Sequence, residues 1–281
     1  MNDRCFGASV TETEKPGYRD AIISYVDILG FSEMIRESAS RPERVEKIAD
    51  LLQAVRDDLG FNPKLRRSKD ATSAPNFVSE NFSDLTIRTR FVIGDLQHSE
   101  AVQEIGYLAS TQFNLATTEN VLVRGGVCYG QIVASDDVTF GPGLVKAYRL
   151  ESEFAVYPRI VVDRDLVVRL LANDDDGLVG RLLRRGDDGA YFIDYLFNAT
   201  HQCFWMDEWR DGCELLSQHR DFVKSRLRED VTKQPEKVKQ KLIWLGLYHN
   251  AVIQRLAADQ YTSGSAHRTE SLLLADDVLR F

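Results

Sequence analysis

The hydrophobic and polar positions along the chain first predict a buried strand. Residues 21–28 form a near-continuous apolar run rich in β-branched side chains, which is typical of a central strand covered on both faces. An amphipathic pattern begins at about Glu33, and a longer one runs from about 41 to 59. The polar, basic and proline-bounded segment 60–75 then predicts a flexible loop.

Beyond this loop the pattern alternates between strands and helices. Two strands are expected near 76–80 and 85–93, joined by the short segment 81–84. The elements predicted after them are a helix at about 98–117, a strand at 121–133, a helix from about Gly143, a strand at 160–162, a short helix, a strand at 191–195 and a helix at 235–256. This order predicts an α+β fold with a ferredoxin-like palm, β-α-α-β-β-α-β, and a helical C-terminal addition. We divide the chain into a flexible leader (1–18), a core domain (19–200) and a helical extension (201–281).

The composition narrows the class of protein. The chain has 281 residues and a net charge of −8, so it lacks the basic footprint of a nucleic-acid-binding protein. No stretch approaches the ~20 apolar residues of a membrane span, and the polar N-terminus lacks the apolar core of a signal peptide. The four cysteines are too scattered for a zinc site and too few for a disulfide scaffold. We therefore expect a reduced, cytoplasmic chain with neither a nucleic-acid nor a membrane partner.

Asp27 is the first candidate for chemistry, because it ends the buried strand. A carboxylate among apolar residues costs free energy unless a cation or hydrogen bonds compensate it. Gly30 lets the backbone approach a ligand closely, and the helix that follows presents free amides to a phosphate. Taken alone, Asp27 could also cap that helix.

Asp84 is the second candidate, because it lies in the predicted hairpin. The first strand and this hairpin are expected to lie side by side, so Asp27 and Asp84 could converge on one edge of the sheet. Two carboxylates with triphosphate oxygens suit Mg²⁺ or Mn²⁺. The alternative is an ordinary turn aspartate.

Three motifs resemble, in order, those of the class III adenylyl and guanylyl cyclases. Residues 26–31, Val-Asp-Ile-Leu-Gly-Phe, are similar to the first metal motif of that family. Residues 124–130, Arg-Gly-Gly-Val-Cys-Tyr-Gly, are similar to its Arg-x-Gly-x-x-x-Gly strand, and residues 140–151 to its Gly-x-x-Val-Asn-x-Ala-x-Arg-Leu-Glu helix. The resemblance spans roughly 20–165. It implies a nucleotidyl cyclase with 19–200 as its catalytic domain, two divalent ions (Mg²⁺ or Mn²⁺) as cofactors and a nucleoside triphosphate as substrate.

The resemblance also implies a set of site residues. Carried over onto this sequence, it implies metal ligation by Asp27, Asp84 and the carbonyl of Ile28, phosphate binding by Leu29, Gly30, Phe31 and Ser32, base recognition at Glu80 and Val138, and transition-state stabilisation by Arg149, which the partner in a homodimer would supply. Residues 93–95, Ile-Gly-Asp, are similar to the second metal motif of adenylyl cyclases. We prefer Asp84 to Asp95, because Asp95 comes at the end of a strand and just before a helix.

The departures from the family pattern concern which nucleobase the site would recognise. Val138 stands where purine cyclases carry Asp or Cys, Val145 stands where they carry a transition-state Asn, and Glu80 is the residue that guanylyl cyclases use. A site without the right hydrogen bonds discriminates poorly, which argues against both ATP and GTP. The combined motifs most resemble the bacterial pyrimidine cyclases of the Pycsar antiphage system. That resemblance implies conversion of UTP, ahead of CTP, into a 3′,5′-cyclic nucleotide that a separate effector protein reads.

Other classes of function stay open at this point. A purine cyclase, a degenerate cyclase domain that binds nucleotide for regulation, and a structural interaction protein all fit the same pattern less well. A diguanylate cyclase shares the palm fold, but neither Gly-Gly-Asp-Glu-Phe nor Gly-Gly-Glu-Glu-Phe occurs in the sequence.

Overall fold

The structure of the chain is a computed structural model, and it describes residues in seven ranges. These are 17–59, 77–134, 138–175, 177–206, 208–228, 234–258 and 270–275. Most of the predicted leader, 1–18, and all of the predicted loop, 60–75, lie outside the described residues.

The first half of the chain has the predicted β-α-α-β-β-α-β order. Its elements are β1 (Arg19–Ile28), α1 (Phe31–Ser38), α2 (Glu43–Asp58), β2 (Phe77–Phe82), β3 (Leu85–Phe91), α3 (His98–Thr117) and β4 (Val123–Ala134). Each predicted strand and helix of this half is present, with ends that differ by a few residues.

The second half contains short elements followed by three longer helices. They are β5 (Thr139–Phe140), α4 (Pro142–Arg149), a π-helical turn (Leu150–Phe154), β6 (Ile160–Val162), α5 (Arg164–Leu171), α6 (Leu178–Leu182), β7 (Leu183–Arg185), β8 (Tyr191–Ile193), α7 (Tyr195–Trp205), α8 (Trp209–Arg228), α9 (Glu236–Ala258) and a 3₁₀ turn (Glu270–Leu272). The predicted strand 191–195 ends at Ile193, because the carbonyl of Asp194 already accepts the first helical hydrogen bond of α7, from the amide of Asn198.

The strands of the described residues form one open sheet. Its order is β2-β3-β1-β4-β6-β8-β7, and β5 pairs with the end of β4. Neighbouring strands are antiparallel, apart from the parallel pair β4–β6. The mixed α+β class with a single open sheet is thereby confirmed, and β1 lies near the middle of that sheet.

Alternation along β1 divides the core into two layers. Ile22, Val26 and Ile28 belong to the larger hydrophobic core on one face, which α1, α2, α3 and the C-terminal helices cover. Ala21 and Ile23 belong to a smaller cluster on the other face, packed against α4. Because successive side chains of a strand point to opposite faces, Asp27 lies on the second, less covered face.

The C-terminal helices share the larger core with the sheet. Leu216 and Val223 of α8 and Leu245 and Val252 of α9 are fully buried in it. The hydrophobic core is therefore continuous across residue 200. Among the described residues, no helix combines the length and the apolar character that crossing a membrane requires.

Candidate active site

The β2–β3 hairpin brings Asp84 next to the end of β1. Phe82 pairs with Leu85, so Ser83 and Asp84 alone form the turn, and Ser83 adopts a left-handed φ of 59°. Leu85 in turn pairs with Asp27 on β1. The two carboxylates that the sequence singles out therefore lie side by side at one end of neighbouring strands.

The surroundings of the Asp27 carboxyl disfavour its ionised form. Burial raises its pKa to about 6, and the charge of Asp84 together with a hydrogen bond between the two side chains adds to this effect. Glu151 raises the pKa slightly further, whereas Arg124 acts in the opposite direction. Burial first, and the neighbouring Asp84 carboxylate second, therefore disfavour ionised Asp27, and a bound divalent cation would favour it.

Arg124 joins Asp27 to Glu151. It lies directly across from Asp27 on β4, and its Nε is 3.3 Å from Oδ2 of Asp27. Its Nη2 is 2.5 Å from Oε1 of Glu151, a residue of the π-helical turn that is almost fully buried. Burial raises the pKa of Glu151, and Arg124 opposes that shift. One guanidinium thus bridges two acidic groups at the mouth of the site.

Two glycines of β4 allow this bridge to form. A Cβ on Gly126 would lie 2.3 Å from the carbonyl oxygen of Ala147, and a Cβ on Gly130 would lie 3.0 Å from Cα of Gly143. Any larger residue would push α4 away from the sheet. The glycines of the Arg-x-Gly-x-x-x-Gly run therefore set how close α4 lies, and with it where the following π-helical turn holds Glu151.

Lys241 of α9 is a further charged residue near the centre. Burial lowers its pKa and Arg124 lowers it further, while Asp27 and Glu151 raise it. This proximity could not be predicted from local patterns, because Lys241 belongs to a helix far along the chain. Arg124 was part of a recognised motif, but its ion pairs could not be read from that motif.

The predicted phosphate-binding segment lies at the start of α1. Gly30 is the N-cap residue and has a left-handed φ of 84°, and Phe31 is buried against the core. The amide of Leu29 donates to the carbonyl of Leu122 at 2.8 Å. This corrects the prediction for Leu29, whose amide is already used. The predicted cradle is reduced to the amides of Gly30, Phe31 and Ser32.

The two positions predicted to contact the base lie together. The hydroxyl of Thr139 donates to Oε1 of Glu80, which brings β2 against the short strand β5. Val138 precedes Thr139 and is about half exposed. Glu80 lies on the strand that leads into the Asp84 turn, and Val138 directly precedes Thr139, the residue that Glu80 contacts.

Arg149 is exposed at the C-terminal end of α4. Val145 and Tyr148 of the same helix are also exposed, and the Tyr148 ring packs edge-on against Tyr25 at 5.6 Å between centroids. By contrast, Lys146 forms ion pairs with Asp163 at 2.7 Å and with Asp165 at 3.2 Å, which gives it a structural role.

Asp95 lies at the wrong end of β3 to act with Asp27. Asp84 immediately precedes β3, whereas Asp95 follows its last residue, Phe91, in an exposed bend. Seven residues of strand, at roughly 3.3 Å each, separate the two ends. Asp84 is therefore the carboxylate that the fold brings to Asp27.

The side chains present fit divalent ions with few protein ligands. Within the described ranges, no group of three or more His, Cys, Asp or Glu side chains forms a metal cluster. A pair of carboxylates nevertheless suits Mg²⁺ or Mn²⁺, which often keep water and substrate oxygens as their other ligands. Burial and the charge of Asp84 raise the pKa of Asp27, and both effects would be offset by a bound cation. Asp27, Asp84 and the carbonyl of Ile28 are the groups that would hold the ions.

Comparison with known proteins adds little. Neither a protein-family model nor a curated protein matches the sequence. Among solved structures, the fold is similar to a protein from Silicibacter pomeroyi described as an adenylate/guanylate cyclase/hydrolase. The identity is 14%, the match covers 63% of this chain and 95% of that one, and the TM-score is 0.35. A functional conclusion therefore has to come from the side chains described above.

Proposed function

We propose that this chain is a nucleotidyl cyclase that converts a pyrimidine nucleoside triphosphate, UTP ahead of CTP, into its 3′,5′-cyclic nucleotide and pyrophosphate. The observation that supports the proposal best is the juxtaposition of Asp27 and Asp84 at one sheet edge, with Arg124 between Asp27 and Glu151. The strand order β2-β3-β1-β4 is that of the ferredoxin-like palm which the sequence resemblance implies.

In the proposed reaction, the ribose 3′-oxygen forms a bond to the α-phosphorus while the bond from that phosphorus to the pyrophosphate oxygen breaks. Divalent ions, when bound, supply activation of the 3′-hydroxyl and stabilisation of charge on the phosphates. Asp27, Asp84 and the carbonyl of Ile28 hold them. The amides of Gly30, Phe31 and Ser32 bind the terminal phosphates, since free amides at a helix N-terminus favour anions.

Arginines supply the remaining positive charge. Once an ion compensates Asp27, the guanidinium of Arg124 becomes available to a phosphate oxygen. Arg149 stabilises the transition state from a second subunit, in keeping with its exposure at the end of α4. A preorganised charge of this kind typically contributes ~10²–10³ in rate.

The homodimer in this proposal uses the less covered face of the sheet. Val138, Phe140, Val145 and Tyr148 are all about half exposed on this side of the molecule. An isologous contact through such an apolar surface would place Arg149 of each subunit opposite the carboxylates of the other and create two composite sites.

The choice of a pyrimidine follows from the base positions. Glu80 can only accept hydrogen bonds, one of its oxygens is bound to Thr139, and Val138 offers no polar group. One acceptor beside an apolar surface suits a base whose recognised edge carries a single donor group, such as N3–H of uracil. The motifs resemble those of Pycsar cyclases, so we further propose that the product signals to a separate cyclic-nucleotide-binding effector during antiphage defence in the cytoplasm.

The test is incubation of the purified chain with each of the four ribonucleoside triphosphates and Mn²⁺ or Mg²⁺, with products resolved by mass. Cyclic UMP is expected. Asp27→Asn and Asp84→Asn should each abolish the product, whereas Asp95→Asn, at the far end of β3, should retain it.

Each other outcome points to a different function. Cyclic AMP or cyclic GMP would keep the reaction but overturn the choice of base. Binding of a triphosphate without any cyclic product would favour a degenerate regulatory domain, for which the apolar Val145 in place of Asn is the supporting observation. Activity that survives both Asp27→Asn and Asp84→Asn would refute the proposed site.

A further inference from the structure

A second cleft lies between the β7–β8 hairpin and α9. It has a volume of about 280 Å³, and none of the candidate active-site residues lines it. Three arginines and four aromatic residues do line it: Arg159, Arg184, Arg185, Tyr157, Phe192, Trp244 and Tyr248. The proposed cyclase reaction does not use any of these side chains.

Two guanidinium groups of this cleft carry buried nitrogens without a partner. Arg159 is 2% exposed; it donates to Asp188 and to the carbonyl of Phe154, yet its Nε has no hydrogen-bond partner among the described residues. Nη1 of Arg184 is likewise buried and unpartnered within the described ranges. Buried donors on charged groups are costly to leave unsatisfied, and both of these belong to side chains that line the cleft.

The cleft has an excess of positive charge. Of its two carboxylates, Asp188 is committed to Arg159, and Asp187 is exposed. Arg185 is also exposed and lies over the ring of Tyr191, and it forms no ion pair with another described residue. Three guanidinium groups against two carboxylates favour an anionic ligand, and guanidinium forks match phosphate oxygens particularly well.

The wall opposite the arginines is rigid and aromatic. Trp244 stacks on Tyr157 with centroids 5.3 Å apart and on Tyr248 at the same separation, with interplanar angles of 6° and 3°. A preformed cleft with an apolar wall and a few convergent polar groups is typical of a small-molecule site, and this volume is slightly below the usual range of about 300–1,000 Å³.

We propose that this cleft binds a small phosphate-bearing molecule, with the phosphate on Arg184 and Arg159 and the rest of the molecule against Trp244. The ligand is no larger than a mononucleotide. Inorganic phosphate or pyrophosphate and a nucleoside monophosphate share this chemistry.

The proposal is tested by titration calorimetry of the full chain in EDTA, which removes divalent ions from the Asp27–Asp84 site. Separate titrations use inorganic phosphate, pyrophosphate and UMP. Saturable binding of at least one of them is expected. Arg184→Gln should weaken it about tenfold, which is the loss of one charge-assisted hydrogen bond, and the exposed Arg185→Gln should weaken it less, because only a nearby charge is lost.

Two controls locate the ligand. Arg124→Gln alters the candidate active site and should leave this affinity unchanged, as should Arg164→Gln, an exposed arginine at the start of α5. Binding of UMP alone would identify the source as a nucleotide, and equal binding of pyrophosphate would identify a free anion. The proposal is overturned if no probe binds, or if Arg124→Gln abolishes binding while Arg184→Gln and Arg185→Gln do not.

Discussion

At the scale of single residues, charge balance explains why the site needs a cation. Three carboxylates, those of Asp27, Asp84 and Glu151, influence one another there, against the cationic groups of Arg124 and Lys241. The surplus is negative, and its effect is visible in the raised pKa of Asp27. A divalent ion would more than offset this single surplus charge, and it would free the Nε of Arg124 that now faces Asp27.

Divalent-ion binding should therefore depend on pH around 6. Below the pKa of Asp27, about 6, a proton must be displaced before an ion can bind, so Mn²⁺ affinity should fall by about tenfold per pH unit. The sign for stability is linked to this. Because the pKa of Asp27 is raised in the folded state, its ionisation lowers the stability of the fold as the pH rises from the unfolded pKa of 3.8 to about 6. Mn²⁺ should therefore raise Tm more at neutral pH than in acid.

Titration calorimetry and thermal denaturation across this pH range measure both effects. Asp27→Asn should bind Mn²⁺ weakly with little pH dependence, and Asp95→Asn should behave as the wild type. An affinity for Mn²⁺ that stays constant between neutral pH and a pH well below 6 would contradict the assignment.

At the scale of elements, the packing of α4 on β4 depends on glycine. Gly126→Ala should destabilise the protein by about 1–3 kcal/mol, because its Cβ would lie 2.3 Å from the carbonyl oxygen of Ala147 and backbone would have to shift. Since α4 leads directly into the turn that holds Glu151, activity should fall as well. Chemical denaturation and the cyclase assay report the two effects.

Gly180→Ala is the matched control. Nothing lies within 4 Å of a Cβ at Gly180, which belongs to α6, so alanine should be neutral or slightly stabilising there. Equal stability of the two variants would show that α4 does not need the close approach to β4.

A buried histidine pair connects α7, α8 and α9. The Tyr195 hydroxyl is 2.7 Å from Nε2 of His219, Nδ1 of His219 is 3.1 Å from Nδ1 of His249, and Nε2 of His249 is 3.0 Å from the carbonyl of Leu272. The carbonyl must receive a proton from His249, which fixes the direction of the chain: Tyr195 donates to His219, and His219 donates to His249. Each ring is neutral in this arrangement, and a second proton on His249 would place two N–H donors face to face at the Nδ1–Nδ1 contact.

Acid should therefore loosen this part of the molecule. Burial lowers the pKa of His249 from 6.5 to about 4, and it lowers that of His219 well below its usual value. A lowered histidine pKa gives stability that is fully present above about 6.5 and is lost as the pH falls toward 4. The loss from His249 is roughly 3 kcal/mol.

Denaturation at a series of pH values checks this. His249→Gln should be less stable at neutral pH and have a shallower slope between pH 6.5 and 4, whereas His98→Gln, outside the pair, should keep the wild-type slope. Identical slopes in the wild type and His249→Gln would exclude the pair as the titrating group.

Only those parts of the candidate active site that follow from local sequence patterns could be predicted from the sequence. Asp27 and Asp84 were predictable, because each follows from the end of a strand or from a tight turn between two strands. The partner of Asp27 was not, since Arg124 lies 97 residues away and the pairing of β1 with β4 is a tertiary event. The strand β5 was missed because two residues carry too little periodicity to be recognised, and β7 because two of its three residues are arginines and form no apolar run like that of β6.

At the scale of the whole molecule, the C-terminal helices are joined to the sheet rather than appended to it. Their buried residues lie in the same hydrophobic core as those of β1 and β4. Trp244 of α9 stacks on Tyr157, which follows the π-helical turn, and Lys241 lies one turn before it. The last long helix thus reaches the segment that holds Glu151, and it brings a cation to the candidate active site.

Lys241→Gln should therefore impair the proposed reaction, although Asp27, Asp84 and Arg124 each lie more than a hundred positions earlier in the chain. Lys241 responds to Asp27, Glu151 and Arg124, so its charge contributes to the potential in which a triphosphate binds. We expect kcat/KM for the triphosphate to fall about tenfold, less than for a fully buried preorganised charge, because Lys241 is only half-buried. Steady-state kinetics with saturating Mn²⁺ measure the effect, and unchanged Tm shows that the fold is intact.

Lys239→Gln on the same helix separates this effect from a general loss of charge. Lys239 faces Glu236 at 3.9 Å, a weak ion pair one turn back along α9, so its removal should leave kcat/KM within about twofold of wild type. If Lys239→Gln and Lys241→Gln lower kcat/KM equally, the contribution of α9 is diffuse electrostatic attraction of the substrate. If Lys241→Gln alone lowers kcat/KM, α9 forms part of the active site. Removing α9 would then abolish activity and would also expose the larger hydrophobic core that α9 covers.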